Sequence, residues 1–184
     1  MVSMETHPSS GADPSAEDGP WSIERADPAV PEAAAVLREY LAELISRYHG
    51  RATDEAEIDR HLRAGHDSDD LVAPTGVLFL ARRAGAVVGC VGLRHVDSET
   101  LELTRMFVRP AARGRGGATF LLAAAERHAR ATGAHRIRLC TRADLVEARA
   151  LYAKHGYLEV PRFGADPFAE HWLGKSLDGP RDPD

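Results

Sequence analysis

Between Val108 and Thr119 the chain reads Val-Arg-Pro-Ala-Ala-Arg-Gly-Arg-Gly-Gly-Ala-Thr, an arginine- and glycine-rich run set between two apolar segments. Residues of these types suit an anion. The first N–H groups of a helix have no intrahelical partner, and with the positive end of the helix dipole they attract negative charge. Gly114, Gly116 and Gly117 keep β-carbons out of the approach. Arg113 and Arg115 add forked donors that match phosphate oxygens. The chemistry indicated is a backbone cradle for a phosphate-bearing ligand.

Such a cradle needs a strand before it and a helix after it. Leu101 to Val108 reads as that strand, and Phe120 to Ala131, which holds neither Gly nor Pro, reads as an amphipathic helix. Upstream, Trp21 to Ala26 alternates as a short strand. A helix is predicted from Pro31 to Tyr48 with Gly50 as its stop, and its stripe Leu37, Tyr40, Leu41, Leu44, Tyr48 is a packing face. A second helix spans Asp54 to Arg63 with Thr53 as its cap, then a polar, acidic loop runs from His66 to Pro74. Val77 to Arg82 and Val87 to His95 form a hairpin around Ala84-Gly85, and Asp97 to Thr100 leads into strand 101–108. Beyond the helix come a strand over His135 to Thr141, a further helix and two final strands. The sheet is therefore mixed, with strands 101–108 and 135–141 parallel across a βαβ unit.

Bulk properties narrow the class. At 184 residues the chain makes one domain, expected over 21–178 between a Ser/Gly/Pro-rich leader (1–20) and a short tail (179–184). A net charge of -5 with interspersed basic residues argues against a nucleic-acid binder, and the single Arg/Gly tract lacks aromatic interleaving. No apolar run has membrane-spanning length and no secretory signal pattern opens the chain, so a cytoplasmic protein without membrane partners is expected. Cys90 and Cys140, both in predicted strands, read as buried free thiols. His61 and His66, five apart, do not share a helix face, and no metal site is expected.

Two familiar phosphate loops fail here. No Lys-Ser/Thr follows Gly117 as a P-loop requires, and Gly114-x-Gly116 has Thr119 where a dinucleotide fingerprint needs glycine. Arg113-x-x-Gly116-x-Ala118 instead resembles the Gln/Arg-x-x-Gly-x-Gly/Ala signature of the GNAT superfamily of acetyl-CoA dependent N-acetyltransferases. Glu102 to Pro110 is similar to that family's fourth strand and the turn leaving it. Ala148-Arg-Ala-Leu-Tyr-Ala-Lys-His-Gly-Tyr157 is similar to its Ala-x-x-Leu-Tyr-x-x-x-Gly-Phe/Tyr segment. The resemblance covers about 77–160 and implies an α/β fold with a central mixed sheet of six to seven strands, flanked by helices and splayed at the parallel pair.

The resemblance also implies roles. Acetyl-CoA is the co-substrate, its pyrophosphate at Arg113, Gly114, Arg115, Gly116, Gly117 and Ala118, its pantetheine arm along Met106, Phe107 and Val108. Tyr152 matches the tyrosine placed near the coenzyme sulfur, a general acid for the departing thiolate. Glu102, six residues before Val108, takes the position of a general base. Thr104 and Arg105 are candidates for the acceptor pocket, as is His171 in the predicted last strand. Leu145 stands where the family usually has Asn or Gln, and Gly117 where a branched residue is usual.

The reading that follows is direct acetyl transfer to a primary amine of a small molecule, peptide or protein, with an acyl-CoA-binding sensor of weak turnover as the alternative. A homodimer, common in the family, stays open. The acidic loop 66–74 with Glu55, Glu57 and Asp59 favours a cationic amine.

Overall fold

The computed structural model describes residues 19–66 and 68–178, so the expected leader, apart from Gly19 and Pro20, and the tail 179–184 lie outside the described residues. Strand β1 (Trp21–Ala26) is followed by helices α1 (Pro31–His49) and α2 (Glu55–His61), then by strands β2 (Gly76–Arg83), β3 (Ala86–His95) and β4 (Thr100–Val108). After β4 come α3 (Gly117–Ala131), β5 (Arg136–Thr141), α4 (Val146–Lys154), β6 (Leu158–Glu159) and β7 (His171–Ser176). The strands form one sheet of seven in the order β1-β2-β3-β4-β5-β7-β6. Every pairing is antiparallel except β4 with β5, which makes this the mixed α/β sheet expected.

Period-two alternation in β2 explains the layering. Leu78 and Leu80 point to one face, where Ala33, Val36 and Leu37 of α1 meet them. Val77, Phe79 and Ala81 point to the other, where Leu121, Leu122, Ala125 and Ala129 of α3 and Tyr152 of α4 join the larger core. The β2–β3 turn closes at Arg83↔Ala86, with Ala84 (φ 48°) and Gly85 (φ 82°) both left-handed, as a two-residue hairpin requires.

Helix α1 starts on Pro31 and stops at Gly50, whose left-handed backbone (φ 65°) lets its N–H donate to the Ser46 carbonyl. Helix α2 packs on α1 through Leu41, Ile45 and Ile58. It is shorter than expected, passing after His61 into one wider turn over 62–66. Its cap is Asp54, not Thr53: the Asp54 carboxylate accepts from the Glu57 N–H at 2.8 Å. The Thr53 hydroxyl is drawn instead to the Glu57 carboxylate, 2.7 Å away, which Arg51 grips with two nitrogens at 2.9 Å. These donors, Arg51 first, hold the Glu57 carboxyl down to about 2. Helix α3 begins three residues earlier than its apolar pattern indicated, because Gly116 turns left-handed and its carbonyl accepts from the Phe120 N–H at 3.0 Å. No helix among the described residues is long and apolar enough to cross a membrane.

Candidate active site

β4 and β5 run side by side for only three residue pairs, Thr100↔Arg136, Leu101↔Ile137 and Glu102↔Arg138. Both strands continue, β4 to Val108 and β5 to Thr141, without further pairing between them. The cause lies on the other edge of β4. Cys90↔Phe107 and Gly92↔Thr104 leave Val91 facing two residues, Arg105 and Met106, which is a β-bulge. Arg105 sits at φ 53°, a left-handed backbone that costs a non-glycine residue about 1–2 kcal/mol. A bulge bends and twists the strand that carries it, and here it turns the end of β4 away from β5. The result is a cleft of about 1240 Å³, in which Met106, Phe107 and Val108 line one side and Cys140 and Thr141 the other.

The glycine-rich loop closes one end of that cleft. Gly114 (φ 74°) and Gly116 (φ 85°) are left-handed, and a β-carbon at either would meet nothing within 4 Å. Glycine is there for the backbone turn and for an open approach. No side chain among the described residues caps α3, so the first N–H groups of its opening turn are presented at the cleft, where Gly116, Gly117, Ala118 and Thr119 form the wall. That is the donor set a pyrophosphate needs.

Gly117 has a different reason. A β-carbon there would lie 2.3 Å from the Trp21 ring, whose indole N–H donates to the Arg115 carbonyl at 3.1 Å. The tryptophan of β1 thus occupies the space of the branched residue usual in the family. Gly117→Ala should destabilise the fold by about 1–3 kcal/mol through overpacking, read as a lower denaturation midpoint, and Trp21→Leu in the same chain should recover most of it. An undiminished midpoint in Gly117→Ala alone would show that the indole does not set this contact.

Tyr152 projects from α4 into the cleft wall and is 4% exposed. Burial, with Tyr40 and Cys140 nearby, raises its phenol above the ordinary tyrosine range, so it holds its proton at neutral pH. Glu102 lies on the cleft floor, accepting from Arg138 Nε at 3.0 Å, and Arg138 in turn stacks 4.1 Å from the Phe163 ring centroid. Thr104 and Arg105 line the same region, Arg105 donating to the Ser68 hydroxyl at 3.0 Å and lying over Tyr40.

Arg113 lines the cleft but is engaged: its Nε donates to the Val108 carbonyl at 2.8 Å and its Nη2 pairs with Glu43 of α1 at 2.6 Å. Two expected site residues fall outside the cleft lining. Arg115 contributes its carbonyl to Trp21, and His171 pairs with Glu159 at 2.9 Å. His171 sits opposite Thr141, a cleft residue, in the β5–β7 register, but its ring is taken up by Glu159 of β6. Cys140 also departs from expectation. It is half-buried, because the strand that would have covered it has moved away, and burial raises its thiol to about 11.

Sequence reasoning did not single out the loop between β6 and β7, of which Phe163 to Ala169 line the cleft, nor Arg142, which is buried and held by Asp144 through two 2.7 Å bonds. Pro167 to Lys175 resembles the family's last strand in sequence, but the strand starts only at His171, and nothing local in 163–169 says which face that loop covers. Leu145 opens α4 without a side-chain cap and lines the cleft with an apolar side chain. Among the described residues no group of three or more His, Cys, Asp or Glu stands close enough to hold a metal ion.

A splayed parallel pair, a bulged fourth strand and an uncapped glycine-led helix define an acyl-transfer fold, and the profile of the acetyltransferase (GNAT) family matches residues 38–157; the chain belongs to that family. It is 37% identical over 118 residues to an IAA acetyltransferase of Azospirillum brasilense, a match covering 59% of this chain and 76% of that protein. The fold is shared with the PaiA N-acetyltransferase of Thermoplasma acidophilum, solved with coenzyme A (TM-score 0.65, 20% identity, 84% of this chain and 99% of that one). It is shared also with a GNAT family acetyltransferase of Elizabethkingia anophelis with acetyl-CoA bound (TM-score 0.58, 18% identity, 85% and 97%).

Proposed function

We propose that this acetyltransferase moves the acetyl group of acetyl-CoA directly onto a primary amine, both substrates being bound at once in the cleft between β4 and β5. The observation that carries the reading is the premature end of the β4–β5 ladder at Glu102↔Arg138, which opens a cleft that is also lined by a helix start whose donors are uncapped. Structures of the same fold with coenzyme A or acetyl-CoA bound support it.

The roles follow from position. The N–H groups of Gly117 and Ala118 receive the pyrophosphate, and the edge of Met106 to Val108 pairs with the pantetheine amides in place of a neighbouring strand. A backbone N–H near Phe107 or Val108 then faces the thioester oxygen and stabilises charge that develops on it. Acetyl-CoA supplies the activated acyl group and a thiolate as leaving group. Glu102 takes a proton from the ammonium form of the acceptor, and Tyr152, kept neutral by burial, gives one to the thiolate. No side-chain nucleophile is required; Cys140, with its thiol raised to about 11 by burial, remains protonated.

Initial rates measured while acetyl-CoA and a primary amine are varied together test this. Intersecting reciprocal plots are expected for transfer within a ternary complex. Parallel plots with an acetylated protein intermediate would contradict direct transfer.

A further inference from the structure

Charge and apolar surface in the acceptor half of the cleft point to the kind of amine that fits there. Most carboxylates that line the cleft already hold an arginine: Glu43 with Arg113, Glu57 with Arg51, Glu102 with Arg138 and Glu147 with Arg47. Glu55 and Asp59 both pair with Arg38, Glu57 is held by Arg51, and Asp70 pairs with Arg94. The side chains of α2 and β3 that line the cleft include Arg60 and Arg94. A polycation would meet carboxylates most of which already hold an arginine.

The apolar surface is of another kind. Tyr48, at the end of α1, is 55% exposed, and Phe168, in the loop between β6 and β7, is 37% exposed. They belong to segments 120 residues apart in the chain, yet their rings meet edge to face at 5.1 Å, and both line the cleft. The pair is fixed before any ligand arrives. The Arg142 guanidinium lies 5.3 Å from the Tyr48 ring centroid, and Arg142 is itself anchored by Asp144 and by the Leu44 carbonyl at 3.0 Å. Rigid aromatic rings left in water inside a cleft retain apolar area that a ligand can bury, with little ordering to offset. Leu44, Pro167 and Ala169 extend the same rim.

We infer that the acceptor is a singly charged amine carried on an aromatic-sized apolar group, with the ring seated against Tyr48 and Phe168 and the amine directed toward Glu102. This rests on the acetyl-transfer reading above and names the substrate class for that site. The selectivity belongs to Tyr48 and Phe168, while Glu102 and Tyr152 serve any amine that reaches them.

The test compares kcat/KM for ethylamine, 2-phenylethylamine and spermidine, followed as thiol released from acetyl-CoA. The expected order has 2-phenylethylamine ahead of ethylamine by about 100-fold, the size of discrimination apolar contacts give, with spermidine no better than ethylamine. The double variant Tyr48→Ala/Phe168→Ala should lose most of the advantage of the ring through a raised KM for 2-phenylethylamine, with acetyl-CoA affinity by calorimetry as the check on folding. Phe120→Ala, which removes an exposed ring outside the cleft lining, should keep that advantage. Equal use of ethylamine and 2-phenylethylamine, or preference for spermidine, would overturn the inference and leave acetyl transfer intact. Thiol release with none of the amines, despite coenzyme binding, would overturn both.

Discussion

Gly116→Glu is expected to weaken acetyl-CoA binding by about 100-fold or more. The residue stands at φ 85° at the start of α3, in open space where the proposal puts the pyrophosphate. A carboxylate there opposes the phosphates with about 4 kcal/mol at 4 Å in a partly screened site, and each 1.4 kcal/mol is about tenfold in affinity. Left-handed strain adds about 1–3 kcal/mol against the folded loop. Gly116→Ala separates the two effects, since it carries the strain without the charge. The charge argument predicts a large loss by calorimetric titration for Glu and a much smaller one for Ala. Equal losses would mean that loop geometry alone, and no anion, is recognised.

The second large effect is on turnover. Tyr152→Phe should lower kcat by about 100-fold or more, the typical contribution of a positioned acid, while acetyl-CoA affinity stays within a small factor. Burial disfavours the phenolate, so the neutral donor persists above pH 10, where a solvated tyrosine ionises. The sign is therefore definite: kcat of the native enzyme should show no alkaline decline from this group up to about pH 10. A kcat unchanged in Tyr152→Phe would reduce the residue to packing, which its contact with Tyr157 at 5.6 Å between ring centroids already supplies.

What the sequence made legible was local and periodic. The glycines at 114 and 116, the apolar strand before them and the amphipathic helix after them are set by short-range chemistry, and the structure places them at the wall of the cleft. The 3.6 and 2.0 periods gave α1, β2, β3 and β4 within a residue or two. Long-range partners were not legible. Arg113 looked like a free phosphate arm, yet Glu43 from α1 engages it. His171 looked poised for the acceptor, yet Glu159 of β6 engages its ring. The bulge at Arg105 has no glycine to announce it, because the strain is imposed by tertiary register. Gly117 was an oddity in sequence and became intelligible once the Trp21 ring was seen in the place of its missing side chain.

These observations also revise the electrostatics of the acceptor side. Counting acidic residues in α2 and the following loop favoured a cationic acceptor, but Arg51 and Arg94 pair with Glu57 and Asp70, and Arg38 is shared by Glu55 and Asp59. Exposed ion pairs contribute little to stability, about 0–1 kcal/mol each. Their consequence here is to weaken the field that would have drawn a polycation.

The central claim is that acetyl-CoA takes the place of a neighbouring strand beside the end of β4. Amide hydrogen exchange with and without acetyl-CoA tests it most directly, since pairing to a bound ligand slows exchange where the backbone was open. The account predicts new protection in peptides covering 106–108 and 114–119, absent in Gly116→Glu. Protection elsewhere, with 106–108 unchanged by saturating acetyl-CoA, would contradict it.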